Sequence, residues 1–236
     1  MNQSGPVALV TGAAGGIGAA TVTRLRDDGF VVAGFDVRPG DGVEMLDVTD
    51  AASVESAVAS VIAAHGRLDL VANVAGISQF GRVEGLTDDE WHRNLAVNLT
   101  GPFTVIRAAL PHLRAARGCV VNVASIAGVH GQAYTAAYSA AKGGLVMLTK
   151  ALAVELAPDG VRVNCVCPAG VDTPLVAEVA GKIPPDADRA LMARMNMLLP
   201  GLVSPEEVAG AIAYLASDDA RNVTGHALVL DGGRSA

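Results

Sequence analysis

Charged and aromatic side chains are scarce in this sequence, at 17% and 3% of its 236 residues. A disordered chain is nevertheless excluded, because 51% of the residues are hydrophobic. With so few rings available, alanine, valine and leucine must build the core. The sequence shows no linker, low-complexity segment or internal repeat, so we expect one domain over residues 1–236 with a large buried core.

Positive charge is also scarce. Seventeen lysines and arginines face 24 acidic residues, the net charge is −7, and no basic run occurs. Affinity for phosphate backbones needs clustered basic residues, so a nucleic-acid partner is not expected.

No segment is typical of a membrane span or a signal peptide. The longest stretch without charge, residues 118–141, contains polar side chains such as Asn122 and Gln132 and is too polar to cross a bilayer. No lysine or arginine precedes Arg24, so the basic flank of a signal peptide is missing. We therefore expect a soluble cytoplasmic protein that does not bind membranes.

The three cysteines, Cys119, Cys165 and Cys167, are too few for a disulfide framework. Cys165 and Cys167 alternate within an apolar run, so both face the same side of a strand. No histidine lies near them at ligand spacing. We interpret them as small core residues in a reducing compartment, and we expect no metal site.

Strand-like and helix-like patterns alternate along the whole chain. Such alternation predicts β-α-β units with right-handed crossovers, and strands that are apolar throughout predict a sheet covered on both faces. The predicted fold is α/β: a single doubly wound Rossmann domain, with a seven-stranded parallel sheet and helices on both faces. The strands are expected at Pro6–Val10, Phe30–Phe35, Val43–Leu46, Leu68–Val74, Gly118–Val123, Val161–Val166 and Ala227–Leu230. Helices are expected at Ile17–Leu25, Val54–Ala64, Thr100–Ala116, Ala136–Leu156, and from the capping motifs at Thr87 and Ser204.

A glycine-rich segment, Thr11–Gly18, lies between the first strand and the first helix. Gly12 permits a sharp turn, and Gly16 and Gly18 remove Cβ atoms where a pyrophosphate must approach and where helix meets strand. The helix start offers free N–H groups to an anion. A glycine-rich turn that binds nothing is the simpler alternative.

Asp36 ends the second predicted strand, 18 residues after Gly18. This is close to the spacing of the acidic residue that binds the adenosine ribose in dinucleotide sites. A carboxylate there accepts hydrogen bonds from the ribose hydroxyls and repels a 2′-phosphate, so we expect NAD rather than NADP. The neighbouring Arg38 weakens this preference, and an ordinary acid at a strand end is the alternative.

Three further polar residues are expected at the same edge of the sheet. Tyr138 and Lys142 are four residues apart, so they share one face of a helix, and Ser125 follows the strand Gly118–Val123. A phenol has a reference pKa of about 10, so it is a poor base near neutrality. An ammonium ~4 Å away lowers that pKa by less than one unit in water, but by about three units at an effective dielectric of ~20. Lys142 can therefore activate Tyr138 only in a dehydrated crevice.

Together these motifs resemble the short-chain dehydrogenase/reductase family, and the resemblance covers nearly the whole chain. The matching pieces, in family order, are Thr11-Gly-x-x-x-Gly16-x-Gly18, Asp47-Val48, Asn73-Val74-Ala75-Gly76, Asn98, Ser125, Tyr138-x-x-x-Lys142, the segment Pro168–Thr173 and Asp231-Gly232-Gly233.

The resemblance implies a role for each motif. Tyr138 would be the acid/base, Ser125 would bind the substrate oxygen, and Asn98 would support a water relay to Lys142. The nicotinamide cofactor would be bound by Gly12, Gly15, Gly16, Ile17, Gly18, Asp36, Asp47, Val48, Asn73, Ala75, Gly76, Tyr138, Lys142, Pro168, Val171 and Thr173. Asn98 as a helix-end cap and Thr173 as a turn residue are the simpler alternatives.

The sequence departs from the family pattern in small ways. Val74 replaces a frequent second asparagine, and Ala169 replaces a glycine after Pro168, which would tighten the nicotinamide end. Gly15 lies where relatives that use NADP often carry a basic residue, which again favours NAD.

The resemblance also implies a substrate lid at about residues 174–202, rich in methionine and leucine, which suggests an apolar or mixed small-molecule substrate. Core or interface packing explains those residues equally well. The apolar helices Thr100–Ala116 and Ala136–Leu156 favour a homo-oligomer, and relatives form tetramers.

The expected activity is reversible hydride transfer between NAD(H) and a secondary alcohol or ketone. A 3-oxoacyl-thioester (acyl-carrier-protein) reductase is a narrower alternative, weakened by Asp36 and by the lack of a basic cluster. A non-catalytic dinucleotide-binding regulator is a second alternative. A serine hydrolase is rejected, because Ser125 lacks the Gly-x-Ser-x-Gly turn and a His/Asp pair.

Overall fold

The computed structural model describes residues 5–174, 176 and 181–236. Seven strands form one sheet: β1 (Val7–Thr11), β2 (Val31–Asp36), β3 (Val43–Met45), β4 (Leu70–Asn73), β5 (Cys119–Val123), β6 (Arg162–Pro168) and β7 (Ala227–Leu230). The helices described are α1 (Gly16–Asp27), α2 (Ala51–His65), α3 (Asp88–Leu95), α4 (Gly101–Ala116), α5 (Ala136–Leu156), α6 (Arg189–Ala193) and α7 (Pro205–Ala216).

The strand order is β3-β2-β1-β4-β5-β6-β7, and every pair is parallel. The chain moves outward from β1 to β3, returns to β4 on the other side of β1, and then moves outward again. Ligands in such sheets bind beyond the strand carboxyl ends at this point of reversal, between β1 and β4. The predicted fold class is confirmed.

Alternating side chains on the strands fill two apolar layers. Val7 and Leu9 of β1 pack with α2, α4 and the end of α5, whereas Ala8 and Val10 pack with α1 and α7. Both faces of the sheet are thus covered, which explains why the strands are apolar without alternation.

Helix boundaries follow local capping chemistry. Thr87 and Glu90 form a reciprocal capping box at the start of α3, and Ser204 and Glu207 form another at α7. Among the described residues, no helix is both long enough and apolar enough to span a membrane.

The predicted helix Thr100–Ala116 differs at its start. Residues Ala96–Thr100 form a π-helical turn that joins α3 to α4. Within it, the Asn98 side chain bonds the backbone of Ile77, a contact between distant residues that no sequence period encodes.

Candidate active site

The carboxyl ends of β1 and β4 are joined by a side chain. The Thr11 hydroxyl accepts hydrogen bonds from the amides of Val74 and Ala75, both at 3.1 Å. Gly12 has φ +70°, and a Cβ there would lie 2.7 Å from the Ala75 nitrogen. The sharp turn predicted at Gly12 therefore needs glycine for both conformation and space.

A groove of about 730 Å³ opens above this junction. It brings together most of the residues predicted to bind the cofactor: Gly12, Gly15, Gly16, Ile17, Gly18, Asp36, Asp47, Val48, Ala75, Gly76 and Thr173. Its wall also includes residues that the motifs did not single out, among them Leu46, Thr49, Ile77, Arg93 and Val97. Arg93 and Val97 are four residues apart, so their helical spacing is the one signal that could have paired them.

The start of α1 faces the groove without a side-chain cap. Gly15 is the cap residue, and the first turn carries no acidic side chain. Its N–H groups and the positive end of the helix dipole are thus available to an anion. A Cβ on Gly16 would lie 2.6 Å from Thr173 Cγ2, and one on Gly18 would overlap the carbonyl oxygen of Gly12.

Asp36 is buried at the end of β2 and is held by backbone donors. Its Oδ2 accepts from the Ala14 amide at 3.2 Å and its Oδ1 from the Arg38 amide at 2.9 Å. The Arg38 guanidinium Nε is 3.8 Å from Oδ1, and the Arg38 side chain is 78% exposed. The carboxylate orientation is therefore set by the main chain, and Arg38 extends toward solvent.

Asp47 and Val48 line the same side of the groove in different ways. The exposed Asp47 accepts hydrogen bonds at Oδ1 from the amide and the hydroxyl of Thr49, at 2.9 and 2.7 Å. Val48 is buried, and its side chain lies where a Cβ on Gly101 would clash.

Five residues predicted to bind the cofactor are not among the groove's lining residues: Tyr138 and Lys142, described below, and Asn73, Pro168 and Val171. Asn73 is buried in β4 and donates to Asn122 Oδ1 at 2.9 Å, so it lies in the sheet below the groove. Asn122 in turn donates to Thr149 Oγ1 at 2.9 Å. Pro168 and Val171 are also buried and are not among the groove's lining residues. Sequence motifs locate these residues along the chain but do not show how deeply each one is buried.

Asn98 and Lys142 approach each other beside Gly76. Asn98 Oδ1 accepts from the Ile77 amide at 3.1 Å, and its Nδ2 donates to the Ile77 carbonyl at 3.0 Å. A Cβ on Gly76 would be 3.0 Å from Asn98 Oδ1 and 3.4 Å from Lys142 Nζ. The groove thus ends, at Gly76, next to the Lys142 ammonium.

Ser125, Tyr138 and Lys142 lie together beyond that end. Lys142 Nζ donates to the Val123 carbonyl at 2.7 Å and is 5.9 Å from the centroid of the Tyr138 ring. Ser125 Oγ accepts from the Ala127 amide at 3.1 Å, and the Ser125 side chain hydrogen-bonds to Tyr138. The strand end and one helix face therefore bring a hydroxyl, a phenol and an ammonium into one cluster, as the spacing predicted.

Burial perturbs both titratable groups of this cluster. It raises the pKa of the Tyr138 phenol, and the hydrogen bond from Ser125 lowers that pKa in part. Burial also lowers the pKa of Lys142 to about 8. Burying the phenolate has a cost that the attraction to an ammonium must offset before the pKa of Tyr138 can fall. Dehydration therefore has two opposite consequences for the pKa of Tyr138. It strengthens the attraction to the Lys142 ammonium, which lowers that pKa, and it disfavours the charged phenolate, which raises it.

The predicted lid is described in part, because residues 175 and 177–180 lie outside the described residues. Arg82 Nη2 forms an ion pair with Asp186 Oδ2 at 2.8 Å, and the Tyr134 hydroxyl accepts from the Asp188 amide at 2.9 Å. Leu198 and Leu199 donate their amides to the Gly232 carbonyl. The described part of this segment is thus attached to three separate regions of the fold.

Comparison with known proteins gives a consistent assignment. The family model described as enoyl-(acyl carrier protein) reductase matches residues 12–235. Cis-4-hydroxycyclohexanecarboxylate dehydrogenase of Sinomonas cyclohexanicum is 42% identical, over 98% of this chain and 96% of its own. The chain belongs to the short-chain dehydrogenase/reductase family.

Two further similarities support that assignment. Meso-2,3-butanediol dehydrogenase of Serratia marcescens is 34% identical, over 100% of this chain and 97% of its own. The crystal structure of 3-ketoacyl-(acyl-carrier-protein) reductase from Brucella melitensis, complexed with NADH, matches with a TM-score of 0.88 and 30% identity, over 99% of this chain and 100% of that one. As a family member the chain is an oxidoreductase that acts on CH–OH groups or the corresponding carbonyls.

Proposed function

We propose that the protein catalyses the reversible, NAD-dependent oxidation of a secondary alcohol to a ketone, with Tyr138 as the acid/base. The observation that carries this proposal is the cluster of Ser125, Tyr138 and Lys142 at the Gly76 end of the groove. A phenol held beside an ammonium and a hydroxyl suits proton transfer to and from an alcohol oxygen.

The groove fits a dinucleotide. The uncapped start of α1 would bind the pyrophosphate, Asp36 the adenosine ribose, Asp47 and Val48 the adenine, and Lys142 the nicotinamide ribose. The glycine loop supports this fit, since a side chain at Gly16 would meet Thr173 at the floor of the site. A bound nicotinamide would supply the hydride acceptor for oxidation of the alcohol carbon and the hydride donor for the reverse reaction.

Asp36 supports NAD over NADP. Its carboxylate is buried and fixed by the amides of Ala14 and Arg38, and free lone pairs remain for two ribose hydroxyls. A 2′-phosphate at that place would bring two negative charges together. Gly15 adds no cation to offset that repulsion.

In the oxidation direction, Tyr138 as phenolate takes the proton from the alcohol O–H while Ser125 hydrogen-bonds to the same oxygen. The Lys142 ammonium stabilises the phenolate, and Asn98 maintains the Gly76–Ile77 loop beside it. In the reduction direction, Tyr138 returns the proton to the oxygen that becomes the alcohol. Asn98 also lies close enough to Lys142 to support a proton relay through water.

The first experiment is absorbance at the reduced-nicotinamide band, over alcohols and ketones, with NAD and NADP side by side. Tyr138→Phe removes one oxygen atom and should lower kcat by at least about 1,000-fold while the dissociation constant of NADH changes less than about threefold. Tyr214→Phe is the matched control, because Tyr214 is 44% exposed on α7. Near-normal turnover by Tyr138→Phe would overturn the assignment.

The likeness to the Brucella ketoacyl reductase favours one narrower candidate, the reduction of a 3-oxoacyl thioester. A 3-oxoacyl thioester substrate, assayed with NADH and with NADPH, tests it directly. A higher kcat/KM for the thioester than for simple ketones with the same cofactor would favour the thioester reductase. Absence of hydride transfer from every substrate with both cofactors would favour a dinucleotide-binding regulator.

We propose that copies of the chain associate through α4 and α5, as a tetramer. Phe103 on α4 and Met147 and Val154 on α5 are large apolar side chains that are 39%, 62% and 79% exposed. Burying them against a second copy would remove that surface from water. Val154→Asp with Met147→Glu should reduce the mass measured by light scattering. An unchanged tetramer in that variant, or a monomeric wild type, would contradict this proposal.

We also propose that the protein is cytoplasmic and folds as one domain. The free and buried cysteines suit the reducing cytoplasm. The continuous sheet supports a single cooperative domain over residues 1–236, which calorimetry would test by a single transition.

A further inference from the structure

Two buried side-chain amide oxygens have no hydrogen-bond partner in the part of the chain that the structure describes: Asn73 Oδ1, which lies in the sheet, and Gln79 Oε1, which lies on the loop after β4. The Gln79 side chain is only 9% exposed, and its Oε1 has no hydrogen bond within the part of the chain that the structure describes. A buried acceptor without a donor is destabilising and uncommon, so a donor group on a bound molecule would stabilise Gln79 Oε1.

The loop that carries Gln79 is fixed at both ends. At one end, Ile77 bonds the Asn98 side chain through its amide and its carbonyl, next to Lys142. At the other end, the Gly81 amide donates to the Tyr134 carbonyl at 2.8 Å, and Tyr134 precedes Tyr138 by four residues. The loop therefore runs beside the segment that carries Tyr138 and Lys142, and Gln79 is midway along it.

We infer that Gln79 is a specificity-determining residue whose amide oxygen accepts a hydrogen bond from a second hydroxyl on the substrate. This inference rests on the proposed function and deepens it, because it makes the substrate a diol or a hydroxyketone. Ser125 and Tyr138 hydrogen-bond to the reacting oxygen, so a second polar group on the substrate needs a hydrogen-bond partner from another residue. Oε1 can only accept, so the group that satisfies it must donate, as a hydroxyl does.

The preference for a diol over a simple alcohol follows from the free-energy cost of leaving a buried acceptor without a hydrogen bond. A substrate with the second hydroxyl satisfies Oε1, whereas a simple alcohol leaves it buried and unpaired. Sites built to bond a substrate hydroxyl reject analogues that lack it more strongly than apolar pockets reject a missing methylene.

The test compares matched substrates: cyclohexanol with 1,2-cyclohexanediol, and 2-butanol with 2,3-butanediol. With the wild-type enzyme we expect kcat/KM to favour the diol by at least about tenfold. Gln79→Met keeps the side-chain length without the oxygen and should reduce the preference to within about twofold, mainly by raising KM for the diol.

Gln79→Glu is the matched control, because it keeps an acceptor oxygen at the same place and should keep the diol preference. If Gln79→Met does not fold, as judged by circular dichroism, Gln79→Asn withdraws the amide by one methylene and should lower the preference instead.

The possible results separate this inference from the proposed function. No diol preference in the wild type, or a preference that survives Gln79→Met and Gln79→Asn, overturns the role of Gln79 but leaves alcohol oxidation intact. No turnover of any alcohol or ketone overturns the proposed function, and the role of Gln79 with it.

Discussion

The two ends of the groove use different chemistry. At the end that contains Asp36, main-chain groups predominate: the start of α1, the turn at Gly12 and the two amides that hold Asp36. At the other end, the buried side chains of Ser125, Tyr138 and Lys142 act on one another. The first end depends on backbone shape, and the second on how burial shifts two proton affinities in opposite directions. Substitutions at the first end should therefore impair cofactor binding, and substitutions at the second should impair proton transfer.

The largest expected effect is at the main-chain end. Gly18→Ala places a Cβ on the carbonyl oxygen of Gly12, so the loop must move and the anion site with it. We expect no measurable NADH binding by fluorescence titration, or an insoluble protein. Gly40→Ala is the control, since a Cβ there meets nothing within 4 Å. Normal cofactor affinity in Gly18→Ala would contradict this, because it would show that the loop can accommodate a Cβ at position 18 without losing the anion site.

Next in size is the loss of the ammonium at the side-chain end. Lys142 Nζ is 5.9 Å from the Tyr138 ring centroid, and at an effective dielectric of ~20 that pair is worth about 3 kcal/mol, or roughly 100-fold. We expect Lys142→Met to lower kcat for alcohol oxidation by about that factor.

The pH profile of Lys142→Met separates electrostatics from packing. Burial already raises the pKa of Tyr138, so without the ammonium the phenolate forms only at higher pH. The rising limb of the oxidation rate should therefore move to higher pH in the variant, which stopped-flow rates between pH 7 and 10 would measure. A uniform loss of rate with an unshifted limb would indicate a packing role for Lys142.

A smaller and selective effect is expected at Asp36. Asp36→Ala removes charge-assisted hydrogen bonds to the ribose and the repulsion of a 2′-phosphate, so KM for NAD should rise about tenfold while KM for NADP falls. The exposed Asp41 offers the control Asp41→Ala. Equal use of NADP and NAD by the wild type would refute the role of Asp36.

The same contrast explains what could be predicted from sequence. Backbone-dominated features follow from glycine spacing and strand ends, so the fold, the Gly12 turn and the place of Asp36 were all predictable. Burial is a tertiary property, and sequence reasoning therefore placed Asn73 in the groove wall, although it lies in the sheet bonded to Asn122. For the same reason, the sequence could not predict how burial changes the pKa of Tyr138. It also could not predict that the amide of Gln79 is buried.

Two of the residues that sequence reasoning missed, Arg93 and Val97, lie on α3 and on the π-helical turn that follows it. Both line the groove, and the π-helical turn is joined to the loop after β4 by the Asn98–Ile77 contact. Such contacts join segments 21 residues apart and carry no local pattern.

The hydrogen bonds of the Thr11 hydroxyl determine when the groove can form during folding. Thr11 precedes Val74 by 63 positions and Ala75 by 64 positions. Its two hydrogen bonds can therefore form only after β4 has paired with β1, and the part of the groove next to them forms at that point. Thr173 then completes the site from much later in the chain. A chain that stops before Thr173 lacks part of the proposed dinucleotide site, so we expect it to gain less stabilisation from a dinucleotide than the full chain.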